Sequence, residues 1–161
     1  MMQYDVKSYH AQASGNATTY AVRLKGVTVT SATVSARNMA IADPVASKSG
    51  TWSRSGTTVT VTIDGNGLTN GQRVFLDVAA GTTMRDGVYE VSNVATNTFT
   101  VTSATSGTAS GTVTMYTNIY FEADTYNTIG LPVYVPGEGI YCPNGIFVGL
   151  GSSVTATVLY G

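Results

Sequence analysis

Thr58-Val59-Thr60-Val61-Thr62-Ile63 is the stretch that decides the fold class. Its alternation puts Val59, Val61 and Ile63 on one side of an extended chain and the threonines on the other. That is the period of a half-buried strand, written in β-branched residues throughout. The same period recurs outward from it. Val27-Thr28-Val29-Thr30 alternates, and the stretch from Gln72 to Val78 sets Val74, Leu76 and Val78 on one face. Thr98-Phe99-Thr100-Val101-Thr102, Thr112-Val113-Thr114-Met115 and the run from Val154 to Tyr160 repeat it. No long window keeps an apolar stripe at helical spacing. The stretch from Ser35 to Val45 is the one place for a helical turn, and Pro44 would end it. Glycines punctuate the strands, with Asp64-Gly65 and Asn66-Gly67 as hairpin dipeptides and Gly107 and Gly111 as further turns. The pattern predicts an all-β chain: a β-sandwich, jelly-roll-like or immunoglobulin-like, carrying an inserted small β-barrel-like module.

The division comes from a change in texture. Residues 47–115 are dominated by Thr, Ser and Gly, whereas the flanks are aromatic: Tyr4, Tyr9 and Tyr20 before, and Tyr116, Tyr120, Phe121, Tyr134, Tyr141, Phe147 and Tyr160 after. Residues 1–46 and 116–161 are therefore expected to form one discontinuous sandwich body, and residues 47–115 a module inserted at a loop.

Composition narrows the function. Only 11% of the 161 residues are charged, against about a quarter in an ordinary soluble domain. A surface of Thr, Ser, Asn and Gly is cheap to desolvate, which suits a subunit that lives against protein neighbours. Net charge is −1, and the eight Lys and Arg residues are scattered singly, so nucleic acid is not an expected partner. No apolar run approaches the roughly 20 residues of a membrane span. The first seven residues lack the apolar core of a signal peptide, so synthesis in a cytoplasm is expected. The single cysteine, Cys142, excludes an internal disulfide.

Candidate chemistry is sparse. His10 is the lone histidine, and no Gly-x-Ser-x-Gly elbow supplies a nucleophile for it. Cys142 has no cation near it in sequence to make a thiolate. Glu122 and Asp124 point the same way on a strand and, with Glu138, leave a carboxylate-only hydrolase as the one open catalytic route. The same pair, or Asp64 with Asn66, offers the beginnings of a calcium site but far from a full oxygen shell. No catalytic residue, metal ligand or cofactor is expected. The ten tyrosines carry more weight, since a ring with a polar tip serves a core, a protein interface or a sugar platform. Tyr4, Tyr9, Trp52, Tyr116, Tyr120, Tyr134 and Tyr141 are the interface candidates, with Trp52 in the loop leading into the module as either an anchor or a plug.

Two stretches resemble known families. Leu131-Pro132-Val133-Tyr134-Val135-Pro136-Gly137-Glu138-Gly139-Ile140, with Asn144-Gly145-Ile146-Phe147-Val148 and the run from Val154 to Gly161, resembles the end of small tailed-phage virion proteins. Arg23-Leu24-Lys25-Gly26-Val27 resembles their first core strand. In the middle, the run from Gly67 to Val74, Gly87-Val88-Tyr89-Glu90-Val91 and Asn97-Thr98-Phe99-Thr100-Val101 are similar to a small β module known from ubiquitin-activating enzymes and phage structural proteins. The resemblance implies a virion protein that binds the major capsid protein or other virion proteins. A capsid decoration or cement protein, as a homotrimer, is the first expectation. A tail, fibre or head–tail adaptor component is the second, and a carbohydrate-binding module the third.

Overall fold

The computed structural model describes residues 5–32, 37–79, 84–126 and 130–161. Thirteen strands follow one another among them, and no helix does: β1 (Lys7–Ala11), β2 (Gly15–Thr18), β3 (Val22–Ser31), β4 (Arg37–Ala42), β5 (Ser47–Thr62), β6 (Arg73–Val78), β7 (Gly87–Glu90), β8 (Thr98–Tyr116), β9 (Ile119–Thr125), β10 (Leu131–Tyr134), β11 (Ile140–Cys142), β12 (Ile146–Leu150) and β13 (Val154–Tyr160). They form three antiparallel sheets. The first has the order β1-β13-β3-β10, with β11 also on β3; the second β2-β12-β4-β9; the third β5-β8-β6-β7. None closes into a barrel.

The first two sheets share a core. Leu24, Val27 and Val29 of β3 with Ala156 and Val158 of β13 pack on Met39 and Ile41 of β4 and on Ile146, Val148 and Leu150 of β12. The third sheet encloses its own core of Trp52, Val59, Val61, Val74, Leu76, Phe99, Val101, Val113 and Met115. Between them lies a smaller cluster in which Ala40, Ala42 and Phe147 of the second sheet meet Phe75 and Val88 of the third. The second sheet is thus a middle layer. Its odd β4 side chains face the first sheet and its even ones the third, so all of β12 is buried.

That layering overturns the helical turn expected near residues 35–45. Met39-Ala40-Ile41-Ala42 is a continuous apolar run because both faces of β4 are covered, and periodicity cannot separate such a strand from a buried helix. Asp43 and Pro44 stop it, with the Val45 amide donating to Asp43 Oδ1 at 3.0 Å.

Trp52 also moves from its expected place. It lies inside β5, 2% exposed, and opposes Gly111 of β8. Gly107 and Gly111 are not turns between two strands. β5 and β8 pair as one long ribbon from Ser47↔Tyr116 to Thr62↔Thr98, bent where the register jumps from Gly56↔Gly107 to Thr58↔Thr102. Gly56 takes φ 65° at the bend, and residues 103–106 bulge out. The buried Arg54 fills the bulge, donating to Ser103 Oγ and to the carbonyl and hydroxyl of Thr105 at 3.0 to 3.2 Å. The bend brings Gly50 against Thr62, at the far end of the same strand, and Ile63 just beyond it.

Several contacts fasten the third sheet to the second. The Phe75 ring sits edge-on to Phe147, 6.0 Å between centroids. The Asn38 amide exchanges hydrogen bonds with the Val88 backbone at 2.9 and 3.3 Å. Arg73 Nε lies 2.9 Å from Glu122 Oε1.

Candidate docking face

The outer face of the first sheet is built by strand parity. Alternate residues of β3 and β13 turn inward and are buried, leaving Thr28, Thr30, Thr155, Thr157 and Leu159 half-exposed on the other side. Register then aligns side chains across the sheet. One row reads Tyr134, Gly26, Leu159, Ser8, and the next Pro132, Thr28, Thr157, His10. Tyr141 stands opposite Arg23, whose backbone is bonded both ways to Gly161 at 2.8 and 3.1 Å.

Glycine is needed at two places here. A Cβ on Gly26 would sit 3.0 Å from the Val133 carbonyl and within 3.7 Å of Tyr134 and Leu159, so the bare backbone lets those side chains flank it closely. Gly139 has φ 81° and lies against the Leu24 carbonyl. It closes the turn Pro136-Gly137-Glu138-Gly139, which returns the chain to the same edge of β3 and so brings Tyr134 and Tyr141 onto one margin. Pro132 belongs to an edge strand, where a missing amide donor is tolerated.

Of the seven aromatic interface candidates, Tyr134 and Tyr141 are the exposed ones, at 73% and 57%. Tyr4 lies outside the described residues. Tyr9 is half-buried against the first core. Tyr116 stacks on Phe147 at 3.8 Å between nearly parallel rings, so it joins the second and third sheets. Tyr120 is half-buried beside Asp43, and burial together with that carboxylate pushes its hydroxyl well above the ordinary value. Trp52 has no surface to offer, being inside the third sheet's core. The sequence reading passed over Leu159, which shares a cross-strand row with Tyr134. Val6 and Tyr20 are exposed as well, but at the β1 edge: Val6 adjoins Gly161, and the Tyr20 hydroxyl accepts at 3.3 Å from Lys7 Nζ, whose strand partner Tyr160 turns inward.

The polar candidates are held in local structure. His10 Nδ1 lies 3.0 Å from Thr157 Oγ1. Cys142 is fully buried, and burial pushes its thiol up to about 11. Glu122 is in the ion pair with Arg73. Asn66 donates to the carbonyls of Ala95 and Thr96 and accepts from the Leu68 amide. No three His, Cys, Asp or Glu side chains gather to hold a metal among the described residues. Asp43 is the best-satisfied acid. Burial would raise its carboxyl, but Asn144, the Val45 amide, the Tyr120 hydroxyl and Asn118 outweigh that and hold it below the ordinary value.

No family model, curated protein or solved structure matches the chain.

Proposed function

We propose that this chain is a structural subunit of a virion, a capsid decoration protein that docks on an assembled shell through the outer face of its first sheet. In this reading the two facing sheets are a β-sandwich body, residues 47–115 are its inserted module, and the free protein is a homotrimer. It acts by binding and carries out no reaction. Support comes from the face itself, where exposed tyrosines and apolar side chains surround a floor of glycine and threonine. Such a floor loses little on desolvation, and aromatic anchors supply most of the affinity at interfaces. Binding the shell and not its free subunits stabilises the shell by mass action. The resemblance of the run from Leu131 to Gly161 to small tailed-phage virion proteins supplies the virion.

The test is co-sedimentation with emptied shells of the virus. The wild-type chain should bind in copies proportional to the shell subunits. Tyr134→Ala combined with Tyr141→Ala should weaken binding by about 30-fold or more, the loss of a hot spot. Saturation at a few copies per particle would assign it to the tail instead. Unchanged binding by the double variant would sink the assignment of this face.

A further inference from the structure

Arg23 and Lys25 of β3 stand together on the docking face, around Glu138 of the adjoining turn. Arg23 Cζ lies 5.5 Å from the centroid of the exposed Tyr141 ring. Lys25 Nζ donates to the Glu138 carbonyl at 2.8 Å, fixing the turn and not the carboxylate. The Glu138 carboxylate approaches Arg23 Nε only at 3.9 Å, and its side chain is 86% exposed. An ion pair so open to water is worth little and is easily exchanged for another carboxylate.

We infer that the docking face takes a carboxylate-bearing protein surface, received by Arg23 against Tyr141. The inference rests on the docking reading above and adds the partner's chemistry to it. A guanidinium held over a ring keeps its planar fork free for two parallel hydrogen bonds to a carboxylate. The ring supplies apolar contact and shields the pair from water, which strengthens it. An incoming acid displaces Glu138, whose turn remains anchored through Lys25. Leu159 and Tyr134 then cover apolar surface beside the charge pair.

The experiment uses the same emptied shells, before and after their carboxylates are converted to neutral amides with carbodiimide and ethanolamine. Binding should fall about tenfold on amidated shells, and about tenfold again between 50 and 300 mM salt on native ones. Arg23→Glu should weaken binding by more than tenfold, whereas Lys48→Glu, on β5 and away from the face, should not. Glu138→Gln should tighten binding about two- to threefold by removing the competing acid. Poly-L-glutamate should compete, and neutral dextran should not. If the tyrosine variant loses binding while the charge variants and amidated shells behave like wild type, the carboxylate partner is wrong and the docking face stands. Stronger competition by polygalacturonate than by poly-L-glutamate would make the occupant a polysaccharide and overturn the inference. Salt-sensitive self-association in sedimentation, abolished by the same charge reversal, would make it a second copy and overturn it too.

Discussion

Gly149 and Phe75 provide a measurement of whether the second and third sheets are one folding unit. Gly149 lies in the middle of β12, and a Cβ built on it would fall 2.6 to 2.7 Å from three carbons of the Phe75 ring. Ordinary contact begins at 3.4 Å. The ring is itself fully buried and cannot retreat, because Phe147 and Tyr116 meet it edge-on at 6.0 and 6.5 Å. Gly149→Ala should therefore destabilise the chain by about 1–3 kcal/mol through overpacking. Phe75→Ala should cost about 3–5 kcal/mol through the cavity it leaves. In the double variant the new methyl sits where the ring was, so the clash vanishes. Ala should then gain about 0.5–1 kcal/mol over Gly in the strand. Together these give a coupling of about 1.5–4 kcal/mol, opposite in sign to additive loss. Urea unfolding followed by tryptophan fluorescence and far-UV circular dichroism measures it. Trp52 reports the third sheet and circular dichroism the whole chain. Coincident transitions with a coupling of that sign and size are expected. Additive effects, or a loss seen by only one probe, would show that Phe75 does not hold the two sheets together.

Other perturbations separate the roles of neighbouring residues. Deleting residues 47–115 and bridging Ala46 to Tyr116 bares Ala40, Ala42 and Phe147, so the body alone should aggregate, and Phe147→Thr should restore solubility; ultracentrifugation decides it. Asp43→Ala should cost at least about 2 kcal/mol, because it strands the Asn144 and Asn118 amides and the Val45 donor. Since the folded carboxyl is held below its ordinary value of 3.8, its stabilisation is complete above that pH and lost as pH falls through the folded value, a loss the variant should not show. Asp77 has the reverse sign: burial raises its carboxyl, so the folded state gains stability as pH falls from that raised value toward 3.8. Asp77→Asn should raise the melting temperature at neutral pH and remove that gain.

What could be read in the sequence depended on which faces of a strand meet water. β13 and the second half of β5 have one wet face, and their period of two was plain. β4 and β12 have none, so their apolar runs carried no period and β4 was mistaken for a possible turn of helix. The ribbon of β5 and β8 was hidden by its glycines. Gly111 stands opposite Trp52, and a Cβ on Gly107 would meet the Arg54 guanidinium, so these glycines make room for large side chains where turns were expected. The proposed docking face was half legible. Residue type singled out Tyr134 and Tyr141, but their exposure follows from edge pairing on β3. The cation beside Tyr141 is set by a cross-strand contact that no local pattern displays.

The outer face of the first sheet is free of the packing that fixes β4 and β12, whose two faces are both covered. On the outer face of β3 and β13, substitutions at Thr28, Thr30, Thr155 or Thr157 touch no core cluster. Stability alone would accept Lys or Glu at each, within about 0.5 kcal/mol. A monomer selected only for solubility gains from such charges. This face instead carries hydroxyls, a bare glycine between Tyr134 and Leu159, and Tyr141 with a cation beside it. Those choices make removal of water cheap, as the proposed docking requires.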